Sequence, residues 1–176
     1  MKTIKLIMLC LMGLSWSACN QNKDEVKAHA SLNTTADNQL IGTMEFFEQA
    51  NGQVKMVMEL NMHTRADSSV AVHFHEHGDC GNMGEDAHGH WNPTGENHGK
   101  WGVEPYHSGD IGNIALDATG HASYSIVTDR WSLKEGDPNY IGNLGVIVHG
   151  GVDDYTTQPT GNSGPRIGCG IIKINR

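Results

Sequence analysis

Eleven histidines stand in 176 residues. Six of them, with one aspartate, fall at spacings that suit metal binding. His73 and His75 lie two apart in an alternating apolar stretch. On a strand, positions i and i+2 share a face, so both imidazoles point the same way and can grip one ion. His90, His98 and His107 follow in a long Gly-rich segment, and Asp110 comes three residues after His107. Imidazole plus carboxylate suits zinc in tetrahedral N/O coordination. His149 ends the apolar run Leu144–Val148, where a polar ring needs a partner, and a metal ion is a fitting one. Four imidazoles with no thiolate or thioether beside them suit copper(II) in tetragonal geometry. Seven ligands make two sites if one histidine serves both. His29, His63, His77, His88 and His121 lie off this pattern and read as solvent-facing.

The elements that must position these side chains are short strands. Apolar stretches over Val26–Leu32, Leu40–Phe47, Val54–Leu60, Val70–His75, Ile111–Asp117, Ala122–Val127, Leu144–Val148 and Gly168–Ile174 are separated by turn signals such as Asn51-Gly52 and Thr119-Gly120. With 22 glycines and 6% aromatic residues, this pattern predicts an all-β, antiparallel sandwich or barrel of eight strands. Two segments lack periodicity, Gly78–Gly109 and Gly150–Pro165. Long loops of this kind in a compact domain are usually functional, and these two bracket the histidines.

The first residues read as an export signal. Lys2 and Lys5 form a basic end, Ile7–Leu14 an apolar run too short to span a bilayer, and Ser17-Ala18-Cys19 a small-residue cleavage site. A cysteine in that place resembles a bacterial lipoprotein box, with Cys19 acylated. The expected organisation is a signal segment over 1–18, a flexible tether over 19–25, and one domain over 26–176. The protein would be anchored to a membrane only through its N-terminal lipid, facing the periplasm or the cell surface. Setting Cys10 and Cys19 aside leaves Cys80 and Cys169, which an oxidising compartment would join as one disulfide. The formal charge is −8. Loss of Lys2 and Lys5 takes it to about −10, with no basic patch, which argues against nucleic-acid binding. The same charge repels an anionic substrate, so such a substrate would need a local positive field.

Four motifs share one resemblance. His73-Phe74-His75-Glu76-His77-Gly78-Asp79-Cys80 resembles the copper-strand motif of copper/zinc superoxide dismutases. Gly89-His90-Trp91-Asn92-Pro93 resembles that family's bridging-histidine motif. His98, His107 and Asp110, continuing through Gly109-Asp110-Ile111-Gly112-Asn113, fall at its zinc-loop spacing. Gly161-Asn162-Ser163-Gly164-Pro165-Arg166 through Cys169-Gly170 is similar to its C-terminal signature. The similarity spans about Val26 to Ile174.

The resemblance implies a Greek-key order of strands with two long metal-site loops. It implies copper on His73, His75, His90 and His149, and zinc on His90, His98, His107 and Asp110, with His90 bridging. Asp153 matches an acid that links a copper ligand to a zinc ligand. Arg166 matches an arginine beside the open copper position, and Cys80 and Cys169 match the family's disulfide. Trp91 reads as packing. The implied activity is dismutation of superoxide to dioxygen and hydrogen peroxide. The rival reading is an exported lipoprotein that binds copper and zinc on the same fold without turnover. The loop over 150–166 has no lysine and carries Asp153 and Asp154, so steering of superoxide would be weak. A homodimer is compatible with the sequence and not specified by it.

Overall fold

The computed structural model describes residues 25–175. The signal segment 1–18, Cys19 and the tether up to residue 24 therefore lie outside the described residues. Alternation in the sequence becomes nine strands: β1 (Ala28–Thr34), β2 (Leu40–Glu48), β3 (Val54–Asn61), β4 (Ser69–His75), β5 (Gly112–Ala115), β6 (His121–Thr128), β7 (Gly145–His149), β8 (Arg166–Ile171) and β9 (Lys173–Ile174). Strand β3 shows the rule. Val54, Met56, Met58 and Leu60 are buried, and the residues between them are half-exposed. Among the described residues, helical structure amounts to two short 3₁₀ turns, His63–Arg65 and Asn82–Ala87.

The strands pair antiparallel in the order β5-β4-β7-β8-β1-β2-β3-β6, with β9 on β1. The ends of this path, β5 and β6, approach each other, so the barrel is nearly closed. The chain winds β1-β2-β3 as a meander, crosses to β4 and β5, returns to β6, and crosses again to β7. Those crossings give the Greek-key order.

The eighth expected strand proves to be two. Ile172 leaves the ladder, donating to Leu144 O at 3.0 Å and accepting from Asn143 N at 2.8 Å. Its side chain is buried. Strand β8 thus lies between β7 and β1, pairing with β1 at Asn33 and Thr34, while β9 pairs with β1 further along, at Ala28 and His29. The fifth strand is shorter than expected, because its backbone turns back on itself at the start and keeps only one further bond to the strand β4 register at the end. Ile111 N bonds Gly109 O and Leu116 N bonds Ser68 O.

Strand β4 matters most for function. Val70, Val72 and Phe74 point into the core, where Phe74 packs on Phe46 and Trp131. Burying a side chain of this size contributes about 1.5–3 kcal/mol. The opposite face of β4 carries Ala71, His73 and His75, which are buried as well. Their cover is the two long loops. The first is stitched to β4 by Trp91 N to Phe74 O (2.8 Å), Phe74 N to Gly109 O (2.9 Å) and Glu76 N to Gly89 O (3.0 Å). Gly109 is required there, since a Cβ would come within 2.7 Å of Phe74 O and 2.9 Å of Trp91 O. Trp131 Nε1 holds the same loop by donating to Ser108 O at 2.8 Å. The second loop docks through Ala71 N to Gly151 O at 3.0 Å. A disulfide joins Cys80 in the first loop to Cys169 on β8, as expected.

Candidate metal centre

The register of β4 on β7 sets the first group. Ala71 lies opposite His149 and His73 opposite Ile147. His73, His75 and His149 therefore share the face that the loops cover. A β-bridge between His75 and His90 adds the fourth ring. The candidate ligand atoms of His73, His75, His90 and His149 all lie within 4.8 Å of one another, and so do those of His90, His98, His107 and Asp110. His90 belongs to both groups.

The hydrogen bonds decide which ring nitrogens are free. His73 Nε2 is 2.8 Å from Asp153 Oδ2, His75 Nδ1 donates to His88 O at 2.8 Å, and His149 Nδ1 donates to Gly164 O at 3.2 Å. A carbonyl or carboxylate on one nitrogen fixes the tautomer and leaves the other nitrogen with its lone pair outward. Those other atoms, His73 Nδ1, His75 Nε2 and His149 Nε2, are buried without a hydrogen-bond partner, and so is His90 Nε2. An orphaned polar atom in the interior is costly. Four converging ones fit a single nitrogen-seeking ion such as copper(II). Burial pushes the His73 imidazole down to about 3, His75 to about 2 and His149 to about 4. All are neutral near pH 7, as metal ligands must be.

The second group closes around a carboxylate. Asp110 Oδ1 lies 2.9 Å from His90 Nδ1 and 3.2 Å from His107 Nδ1, and Asp110 Oδ2 lies 3.0 Å from His98 Nδ1. His98 Nδ1 is near in distance but poorly aligned, so it too counts as unpartnered. Burial would lift the Asp110 carboxyl, but hydrogen bonds from His107 and His90 and the nearby His98 ring hold it well below the usual carboxylate range. Burial opposes charge on His98 as well, yet the neighbouring Asp110 and Asp153 carboxylates raise it to about 9. The pocket favours positive charge, which a divalent ion supplies in place of a proton. Three imidazoles and one carboxylate suit zinc.

Asp153 ties the two groups together. Its Oδ2 meets His73 Nε2 at 2.8 Å, and its Oδ1 meets His98 Nε2 at 2.9 Å. Asn113 clamps it, with Oδ1 accepting from Asp153 N (2.7 Å) and Nδ2 donating to Asp153 O (2.8 Å). Arg166 donates to Gly84 O at 2.6 Å and to His88 O at 2.7 Å. The His88 carbonyl thus serves both Arg166 and His75.

The chain matches the family model for copper/zinc superoxide dismutase over residues 40–172. A superoxide dismutase [Cu-Zn] from Caulobacter vibrioides is 40% identical over 177 residues, covering 97% of this chain and 99% of that one. Superoxide dismutase [Cu-Zn] 2 from Aquifex aeolicus is 35% identical over 154 residues, covering 85% and 88%. This chain belongs to the copper/zinc superoxide dismutase family. Solved structures share the fold. A SOD-like protein from Bacillus subtilis has a TM-score of 0.71 at 30% identity, covering 81% of this chain and 96% of that one. The clock protein EA4 has a TM-score of 0.75 at 29% identity, covering 85% and 95%. Family and fold therefore leave the activity to be argued from the site.

Every residue singled out as a ligand is brought into one of the two groups. Trp91 packs against the core, as expected. His29, His63, His77 and His88 are exposed and His121 half-exposed. Sequence reasoning passed over the clamp role of Asn113. It also passed over Gln158, whose side chain accepts from His98 N and donates to His98 O, both at 2.9 Å. Asn113 is marked only as the last residue of the motif that follows Asp110, and Gln158 has no periodicity or spacing that marks it.

Proposed function

We propose that this chain is a superoxide dismutase that converts two superoxide ions and two protons to dioxygen and hydrogen peroxide. In this reading His73, His75, His90 and His149 hold copper, and His90, His98, His107 and Asp110 hold zinc. Bound copper would supply one-electron chemistry, taking an electron from one superoxide and giving it to another. The rest falls to the chain. His90 faces both groups, through Nε2 and Nδ1, so its Nε2 is the atom that can hold a proton between the two half-reactions and release it to the reduced oxygen. Asp153 keeps His73 and His98 from turning. Arg166 is fixed by two carbonyls and always charged, so its remaining N–H groups can orient a small anion. Export and acylation at Cys19 belong to the same proposal.

The observation that carries this reading is the convergence of four buried, unpartnered ring nitrogens. Metal analysis with copper electron paramagnetic resonance, beside a superoxide-consumption assay, tests it. One copper and one zinc per chain with rapid consumption are expected, and a His90→Ala variant should lose the parent copper signal. An unchanged signal in that variant would remove the bridged site. Metal binding without consumption would leave the storage lipoprotein instead.

A further inference from the structure

We infer a third metal site, on the outer surface, formed by Glu76, His77 and His88. One ligand atom from each lies within 4.8 Å of the others, and all three residues are exposed. The two rings stand with centroids 4.4 Å apart at 82° to each other. Two imidazoles and a carboxylate with the remaining positions open to water suit a divalent first-row ion of borderline softness, copper(II) or zinc.

The site is built on fixed backbone. Glu76 N bonds Gly89 O at 3.0 Å and His77 N bonds Ala87 O at 3.2 Å, so the three residues ride on the ladder whose buried side carries His75 and His90. The His88 backbone is more constrained still. Its N–H bonds Glu85 O at 3.0 Å, and its carbonyl accepts from His75 Nδ1 and Arg166 Nη2. It is held at φ 63°, ψ −142°, a region that side-chain-bearing residues rarely enter. A histidine stands where glycine would be easier, and its ring faces that of His77. The other surface histidines already have partners. His29 Nδ1 meets Asn175 Oδ1 at 2.8 Å, His63 Nδ1 donates to Thr119 O at 2.8 Å, and His121 Nε2 meets Glu59 Oε2 at 3.0 Å.

The test uses protein with its buried sites filled with copper and zinc and loose ion removed. Copper(II) and, separately, zinc are titrated into it by calorimetry, with paramagnetic resonance following the copper. The parent should bind one further equivalent. Loss of even an outer partner of a metal site costs about 10–100-fold in affinity, so His77→Ala and His88→Gly should each lose at least that much. His88→Gly keeps the carbonyl that His75 and Arg166 use. The buried metal content of His77→Ala should equal the parent's, which separates failure of this site from failure of the buried ones. A parent that takes up no further ion overturns the inference. So does a further equivalent that survives in either variant.

Discussion

Asp153 shows how little room the site leaves at the scale of one residue. Gly161 sits against it with φ 67°, and a Cβ there would collide with Asp153 Oδ1 and come within 2.5 Å of His98 Nε2. Gly161→Ala should therefore displace the carboxylate that His73 and His98 share. We expect it to act like Asp153→Asn, each lowering metal affinity about 10–100-fold, as read by competition with a chelator. Arg166 makes a different prediction. Hydrogen bonds to charged groups contribute about 1.5–3 kcal/mol, so Arg166→Ala should slow superoxide consumption roughly ten- to hundredfold. Its copper and zinc content should stay at parent level. A variant that lost metal in step with activity would mark Arg166 as structural.

Two loops, each pinned at several points, do the positioning at the scale of elements. The disulfide holds the first loop to β8 at Cys169, which pairs with Ile147 on the strand that carries His149. Cys80 and Cys169 are 89 residues apart, and closing a loop of that length stabilises by about 4–5 kcal/mol in the chain-entropy view. Cys80→Ser should lower the free energy of unfolding by an amount of that order, measured with denaturant on the metal-free chain. The strands themselves were largely legible, because period-2 alternation reports burial on one face. The division of the last strand at Ile172 was not. It depends on which neighbour takes each backbone group: Ile172 bonds to Asn143 and Leu144 while Lys173 and Ile174 pair with β1, a choice that no periodicity records.

For the whole molecule, two predictions follow from charge. In the metal-free chain His73 and His149 hold to about 3 and about 4 when folded, against an ordinary 6.5. The unfolded chain binds protons that these folded rings refuse, so stability is full above pH 6.5 and falls as pH drops toward 4. His98 runs the other way. Raised to about 9, it contributes stability that is full below 6.5 and lost as pH climbs through 9. Denaturation midpoints of the metal-free protein should peak near neutrality, and a flat profile between pH 4 and pH 9 would contradict this. The second prediction concerns approach of superoxide. Lys100 and Lys134 are exposed, the loop over 150–166 has no lysine, and Glu85 lies 3.5 Å from Arg166. Added salt should slow the reaction only slightly, since screening acts on a weak field.

From sequence alone came the seven candidate ligands, the pairing of the cysteines and the all-β class. Each of these is a matter of residue type and spacing along a line. The fold alone decided which nitrogen of each ring is free, since that depends on carbonyls such as those of His88 and Gly164. Those carbonyls come from loops with no periodic signal. The fold also placed His88 against His77, two rings that the sequence suggested were merely solvent-facing. Side chains far apart in the chain acquire chemistry only when the backbone that carries them is held still, and tertiary packing does the holding.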